Sequence, residues 1–421
     1  MKKITFLLCC LTTLLANAQI PKFESVKLIG EGHSLESRAT DASGNVYKTG
    51  GLYGKSSFGS KGEHFLTGGS DRSPDIFISK VNSNGDFVWA KKVGGAGYDL
   101  GESIALDKAA NVYITGHFAG TKDFDPGDGE FNLTGDITKS SAFILKLDAS
   151  GNFLWAKKIG ENEIVYGHSI TLDASGNIYT TGTFSETVDF DLGEGVNKLT
   201  STEIDGYSKK DMFILKMDAS GNFVWARNCY AGVSEQDHSI AVDASGNVYT
   251  TGYLFGKTDL NPGKEKFYLT SKGKKDIFIS KLDASGNFVW AKIIGGELDD
   301  EGCSIATDVA GNIYITGYFS GTVDFDPGKG KVEFEAPGGQ REDDSRDAFI
   351  CKFNADGLFT WALQIGVFGS DTGDDISIDA NNNILIEGQF DGNVDFDPGQ
   401  GTFFLNAGYH SDSFLLKLSQ K

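Results

Sequence analysis

Proline is scarce, with seven residues in 421, and cysteine scarcer, with five. So few prolines exclude a Pro-rich disordered chain. Cys9 and Cys10 fall within the first 18 residues, which leaves Cys229, Cys303 and Cys351. An odd three is no disulfide framework; at most one bridge forms, and a large core must supply the stability. Arginine is equally thin: Arg38, Arg72, Arg227, Arg341 and Arg346. Positive charge is in deficit, 38 basic against 58 acidic residues for a net charge of -20, which argues against nucleic acid or an anionic membrane as partner. Past the N-terminus no long apolar run occurs, and the mean hydropathy of -0.22 excludes a multi-span membrane protein. What is abundant is glycine, 55 residues, and aromatics, at 12%. That pairing predicts many tight turns between regular strands with aromatic cores.

Residues 1–18 read as a signal peptide. Lys2 and Lys3 form the basic start, Ile4 to Leu15 a short apolar stretch, and Ala16-Asn17-Ala18 a small-residue cleavage site. The stretch is too short to anchor in a membrane. The expected product is an exported chain of residues 19–421, secreted, periplasmic or on the cell surface, with no transmembrane anchor.

Internal repetition decides the fold. One phrase, typified by SIAVDASGNVYTTG, recurs six times, anchored on Asp41, Asp107, Asp173, Asp243, Asp308 and Asp379. A second, typified by DIFISKLDASGNFVWAK, alternates with it and carries Trp89, Trp155, Trp225, Trp290 and Trp361. Each phrase reads as a β-hairpin: alternating Ile, Val, Phe and Tyr around an Asp-Ala-Ser-Gly-Asn turn, in which Asp caps and Gly supplies positive φ. Two hairpins give four strands, A to D, per repeat. Four antiparallel strands repeated about an axis are propeller blades. Nine residues always separate the anchoring Asp from the strand-B Gly, and eighteen separate each Trp from the next anchoring Asp. All length variation lies between B and C.

The fold class expected is therefore all-β, a six-bladed β-propeller with four-stranded blades. Six A–B hairpins and six C strands are present, but only five Trp-bearing D strands. The segment Ser25-Val-Lys-Leu-Ile-Gly30 matches Trp-Ala-Lys-Lys-Ile-Gly160, so the N-terminal strand is expected to complete blade six. Alignment on Gly30 puts Ser25 in the tryptophan position; the eighteen-residue spacing puts Phe23 there.

The motif Ala-Val-Asp-Ala-Ser-Gly-Asn-Val-Tyr-Thr-Thr-Gly at 241–252, followed by Phe-Ile-Ser-Lys-Leu-Asp at 278–283, resembles the bacterial SBBP β-propeller repeat. The A–B half alone is similar to an NHL repeat. The resemblance covers nearly all of residues 23–418 and implies an exported propeller, often part of a larger surface protein, without catalytic activity or a common ligand. This sequence departs from the family's seven-bladed namesake in having six repeats. The C–D turns resemble the Asp-box of sialidase propellers in placement but not in spacing, and the arginines do not recur at one repeat position.

Three sets of residues are candidates for chemistry. The B–C insertions carry Asp-Phe-Asp-Pro-Gly or a relative, pairing Asp123 with Asp125, Asp189 with Asp191, Asp259 with Asn261, Asp324 with Asp326 and Asp395 with Asp397. Two carboxylates at i and i+2 on an extended segment share a side and could bind Ca²⁺; the competing expectation is a structural turn that needs no cofactor. The five Trp hold a fixed place in every D strand, as inter-blade packing would. Five residues before each anchoring Asp, where strand A begins, stand Glu36, Glu102, His168, His238, Cys303 and Asp374. Strand A is the innermost of a blade, so these six would ring the channel mouth, as metal or acid/base groups or simply as solvated polar residues. No G-x-S-x-G, H-E-x-x-H or phosphate loop occurs. A constant frame with variable loops on one face suits a monomeric binding or protein-interaction scaffold, its partner a protein or polysaccharide. A hydrolase or lyase working at the channel mouth is the alternative.

Overall fold

The computed structural model describes residues 20–30, 37–58, 64–70, 73–202, 210–229, 238–336, 345–366, 369–408 and 411–420; residues 1–18, expected as a signal peptide, and Glu36 lie outside them. The described residues form strands and turns, and no helix among them is long and apolar enough to cross a membrane. Six four-stranded antiparallel sheets follow one another along the chain as the six blades of a propeller. Blade one runs Ser37–Thr40, Val46–Leu52, Asp75–Val81 and Phe87–Val93 as strands A to D. Blades two to five repeat that order. Blade six takes A, B and C from Thr372–Ile378, Ile384–Phe390 and Asp412–Ser419, and D from the N-terminal Lys22–Gly30.

The pairing settles the tryptophan position. In blade one Lys80 faces Trp89 and Val81 faces Phe87 across a bulge; in blade six Lys417 faces Ser25 and Leu418 faces Phe23 across the same bulge. Ser25 therefore stands for tryptophan. Phe23 stands for the first aromatic of strand D, and its ring lies 5.0 Å from Phe403, as Phe153 lies 4.9 Å from Phe131 and Phe288 4.9 Å from Phe267.

Every repeat turn is built by its first residue, an aspartate or, at Asn82 and Asn354, an asparagine. Asp243 Oδ1 accepts the amides of Ser245 and Asn247, each at 2.9 Å, and Oδ2 accepts the Asn247 side chain at 2.7 Å and the Tyr249 hydroxyl at 3.0 Å. Gly246, at φ +78°, closes the turn in the left-handed region. The tyrosine so fixed is wholly buried, and Lys281 of strand C lies 5.1 Å over its ring.

Blades are joined both at their inner strands and at their outer ones. Around the channel, the amides of Ile104, Ile170, Ile240, Ile305 and Ile376 donate to Ser37, Ser103, Ser169, Ser239 and Ser304 Oγ of the preceding blade, at 3.2–3.3 Å. Towards the outside, Trp89, Trp155, Trp225 and Trp290 lie under the C–D turn of the next blade: Trp225 Nε1 donates to Ala284 O at 3.2 Å, and a Cβ on Gly286 would meet its ring at 3.0 Å. The seam between blades six and one departs from both rules. Asp375, Arg38 and Glu387 replace serine, isoleucine and threonine there, with Arg38 paired to Glu387. No indole covers Gly85, beside which a Cβ would meet nothing within 4 Å.

Candidate functional site

Strand A enters from the face that carries the B–C insertions and D–A loops. The insertions are two-stranded hairpins on blades one, two, three, five and six, and a continuation of the long strands Val248–Asp259 and Tyr268–Leu282 on blade four. In Asp-Phe-Asp the phenylalanine is the anchor. Phe124, Phe190, Phe325 and Phe396 are buried, each within 4.8–5.1 Å of the strand-C phenylalanine of its own blade. Alternation then puts both aspartates on the other side.

Those aspartates close the hairpin tips. In blade two, Asp123 Oδ1 accepts the amides of Asp125 at 3.0 Å and Phe131 at 2.8 Å, and Asp125 Oδ1 accepts Gly127 at 2.8 Å. In blade three, Asp189 Oδ1 accepts Asp191 at 3.1 Å and Asn197 at 2.8 Å, and Asp191 Oδ1 accepts Gly193 at 3.0 Å. In blade five, Asp324 Oδ1 accepts Asp326 at 3.2 Å and Val332 at 2.9 Å, and Asp326 Oδ1 accepts Gly328 at 2.8 Å. Asp395 and Asp397 repeat this in blade six, and Asp259 also pairs with Lys266 at 2.8 Å. Asp123, Asp125, Asp189, Asp191, Asp324, Asp326, Asp395 and Asp397 thus all take the geometry of the structural-turn alternative, with one oxygen of every carboxylate engaged by backbone amides. Asp125 and Asp326, the second members of their pairs, serve as turn caps on Gly127 and Gly328. Among the described residues, no three His, Cys, Asp or Glu side chains are grouped to hold a metal ion.

The channel mouth is where unlike residues meet. A continuous run of contacts crosses it from blade two to blade five. Tyr98 stacks on His117 at 5.6 Å, and His117 Nδ1 lies 3.5 Å from Glu102 Oε1. Tyr166 meets His117 edge-on at 4.8 Å and lies parallel to His168 at 6.2 Å. His168 Nε2 is 3.2 Å from Thr183 Oγ1, and its ring is 6.0 Å from His238. His238 packs on Tyr253 at 6.4 Å, with Lys275 3.9 Å over the Tyr253 ring. Lys275 and the Tyr318 hydroxyl both reach Glu301 Oε2, at 3.5 and 2.7 Å. On blade six, Asp374 accepts from Thr372 Oγ1 at 2.8 Å and Gln389 Nε2 at 3.3 Å. So Glu102, His168 and His238 share one surface. Cys303, a part-exposed thiol of strand Glu301–Thr307, follows on blade five.

Burial decides the charge states. His117 and His238 are pushed down to about 4, and His168 well below its ordinary value, so all three imidazoles are neutral at pH 7. His238 is 2% exposed, and neither of its ring nitrogens has a hydrogen-bond partner among the described residues. A buried imidazole without a partner forfeits about 1–3 kcal/mol that a bound group could return.

Sequence reading missed one class of residue at this mouth. The position three residues before the strand-C phenylalanine reads Pro74, Ser140, Lys210, Lys275, Arg346 and Ser411 around the ring. Its carbonyl accepts the amide of the next blade's Asp99, Val165, Asp300 or Asp371 at 2.7–3.1 Å, which proves the equivalence. Three adjacent blades thus carry a cation there, each over a tyrosine: Lys210 on Tyr166 at 4.9 Å, Lys275 on Tyr253 at 3.9 Å and Arg346 on Tyr318 at 4.5 Å. The signal in the sequence is the pair basic-Asp at 210–211, 275–276 and 346–347, hidden because the B–C insertions differ in length.

Buried carboxyls beside these positions make stability depend on pH. Burial pushes Asp300 up to about 7 against the amides of Gly296 and Ser320, and raises Asp99 and Asp347 to about 6. Their contribution is full below the ordinary carboxylate range and is lost as pH rises through 6–7. The histidines act oppositely: their contribution is full above about 6.5 and is lost as pH falls towards 4. The two sets offset one another between about pH 4 and 6.5, leaving Asp300 to act above that window. We expect the melting temperature to fall by a few degrees from pH 6 to 8, and Asp300→Asn to remove most of that slope. Calorimetry on both proteins checks this; an unchanged slope in the variant would rule Asp300 out.

Comparison with known proteins agrees with the architecture. A family model described as the SBBP beta-propeller repeat matches residues 154–183 and 289–318, which run from strand D of one blade through the A–B hairpin of the next. An uncharacterized WD repeat-containing protein of Acanthamoeba polyphaga mimivirus is 23% identical over 325 residues, covering 68% of this chain and 23% of its own length. The regulatory protein FlaEY of Caulobacter vibrioides is 26% identical over 320 residues, covering 73% of this chain and 31% of its own. The chain thus spans under a third of either relative. Among solved structures, a gluconolactonase from Xanthomonas campestris superposes with a TM-score of 0.34 at 10% identity, over 95% of this chain and 98% of that one. The NanB sialidase of Streptococcus pneumoniae gives 0.45 at 9%, over 96% and 70%. At such scores neither speaks to chemistry.

Proposed function

We propose that this β-propeller repeat protein is an exported, non-catalytic binding scaffold whose recognition site is the channel mouth. One observation carries the reading. Where the blades join, five seams use the same serine for the same hydrogen bond; at the mouth, equivalent positions read Glu102, His168, His238, Cys303 and Asp374, no two neighbours alike except the histidine pair. A repeated frame with a diversified rim is what recognition requires. The residues also speak against hydrolysis. The hydroxyl paired with His168, Thr183 Oγ1, lies at 3.2 Å on a residue of strand B within the blade, with no third group among the described residues shown to orient the imidazole as a base. Export rests on the basic, apolar and small-residue order of residues 1–18.

The test is a thermal-shift screen of saccharides, organic acids and peptides on the mature protein. Compounds that raise the melting temperature should lose their effect in His238→Phe and keep it in Phe404→Ser, on an insertion hairpin far along the rim. Loss in the hairpin variant alone would move recognition to the insertions, and turnover of any hit would favour the enzyme.

A further inference from the structure

Resting on the mouth as the binding site, we infer that its ligand is a small hydroxylated carboxylate, held by the basic crescent of blades three to five. The protein as a whole carries a net charge of -20, yet Lys210, Lys275 and Arg346 occupy three adjacent members of one six-fold position, and the other three members are uncharged. Cations gathered on one arc of an acidic protein mark where an anion is to be held.

Each cation is also pre-set. The carbonyls of Lys275 and Arg346 accept the amides of Asp300 and Asp371, at 2.9 and 2.7 Å, and the Arg346 amide donates to Gly369 O at 3.1 Å. These bonds tie the backbone of both residues to the next blade. Their side chains then lie on Tyr253 and Tyr318, which limits the rotamers they can visit. Lys275 is balanced by Glu301. Arg346 has no carboxylate partner among the described residues, so its planar fork is available for bidentate contact with a carboxylate.

The second observation is His238. It lies between His168 and Tyr253 in the same run of contacts, 2% exposed, with both ring nitrogens unpartnered among the described residues. A neutral imidazole can donate from one nitrogen and accept at the other, which is what a ligand hydroxyl asks for. Glu102 and Asp374 lie across the mouth on blades two and six, where hydroxyl donors would be accepted and a second carboxylate refused. The arrangement therefore selects one negative group and several hydroxyls.

The test is calorimetric titration of the full mature chain with D-glucuronate, D-galacturonate, citrate and glutarate, and with D-glucose as the uncharged control. At least one hydroxylated carboxylate should bind, glucose at least tenfold more weakly. Arg346→Gln and Lys275→Met should each weaken that binding tenfold or more, Arg346→Lys less, and binding should weaken with added salt. Lys91→Met, on strand D of blade one, should bind as wild type. Circular dichroism confirms that each variant is folded. Glucose binding as tightly as glucuronate would overturn the charge assignment while leaving the mouth as the site. No binding by any acid in the folded wild type, or equal binding in Arg346→Gln, would overturn the inference.

Discussion

Removing residues 20–30 should cost on the order of 5 kcal/mol or leave no soluble monomer. The segment is strand D of blade six and pairs along its length with Asp412–Ser419. Val26 is 8% exposed in a cluster with Leu416, Leu418 and Trp361, and Phe23 packs against the same cluster. Deletion opens this core and leaves strand C of blade six as an unpaired edge. It also separates the first and last blades, whose contact spans nearly the whole sequence. Chemical denaturation of the deleted chain checks the loss. Adding a synthetic peptide of residues 20–30 should restore much of the stability. A deletion that melts like the full chain would contradict closure by this strand.

A comparable loss is expected at a single tryptophan. Trp225→Ala should cost about 3–5 kcal/mol. Its ring is 7% exposed, meets Tyr179 at 6.4 Å and Arg227 at 5.4 Å, and donates to the next blade's turn at 3.2 Å. Truncation opens a cavity between blades and leaves the Ala284 carbonyl to Lys216 Nζ alone. The opposite change belongs at the closing seam. Ser25→Trp should stabilise by about 1 kcal/mol, because Ser25 has the tryptophan register and Gly85 stands open beside it. Denaturant titration of both variants gives the two signs; a neutral Trp225→Ala would mean the indole does not join the blades.

The frame was legible in the sequence because each turn repeats its own chemistry. Asp and Asn cap, Gly takes positive φ, and the pattern survives six copies, so blade number and strand order followed from counting. Closure was legible too. Its register was not, since the eighteen-residue spacing holds only where strand D and the next strand A belong to successive blades of the continuous chain; at the seam the link from Ser25 to Asp41 is two residues shorter. The two carboxylates at i and i+2 could be placed on one side of a strand from spacing, but spacing alone does not show the glycine amides that Asp125 and Asp326 cap. The ring of Glu102, His168, His238, Cys303 and Asp374 could be placed at the mouth from the strand order. The crescent of Lys210, Lys275 and Arg346 could not. Its tyrosine partners come from strand A on blade three and strand B on blades four and five, a convergence that one-dimensional alignment does not display.

The mouth is most directly read through its histidines by ¹⁵N–¹H NMR of the side chains. The chain has six: His33, His64, His117, His168, His238 and His410. At pH 6, His117, His168 and His238 should show neutral-tautomer resonances, since burial holds them far below the ordinary value. On titration with a compound that raises the melting temperature, His168 and His238 should shift while His64 does not. Ordinary titration of the three near pH 6.5, or shifts confined to the others, would contradict a dry recognition site at the channel mouth.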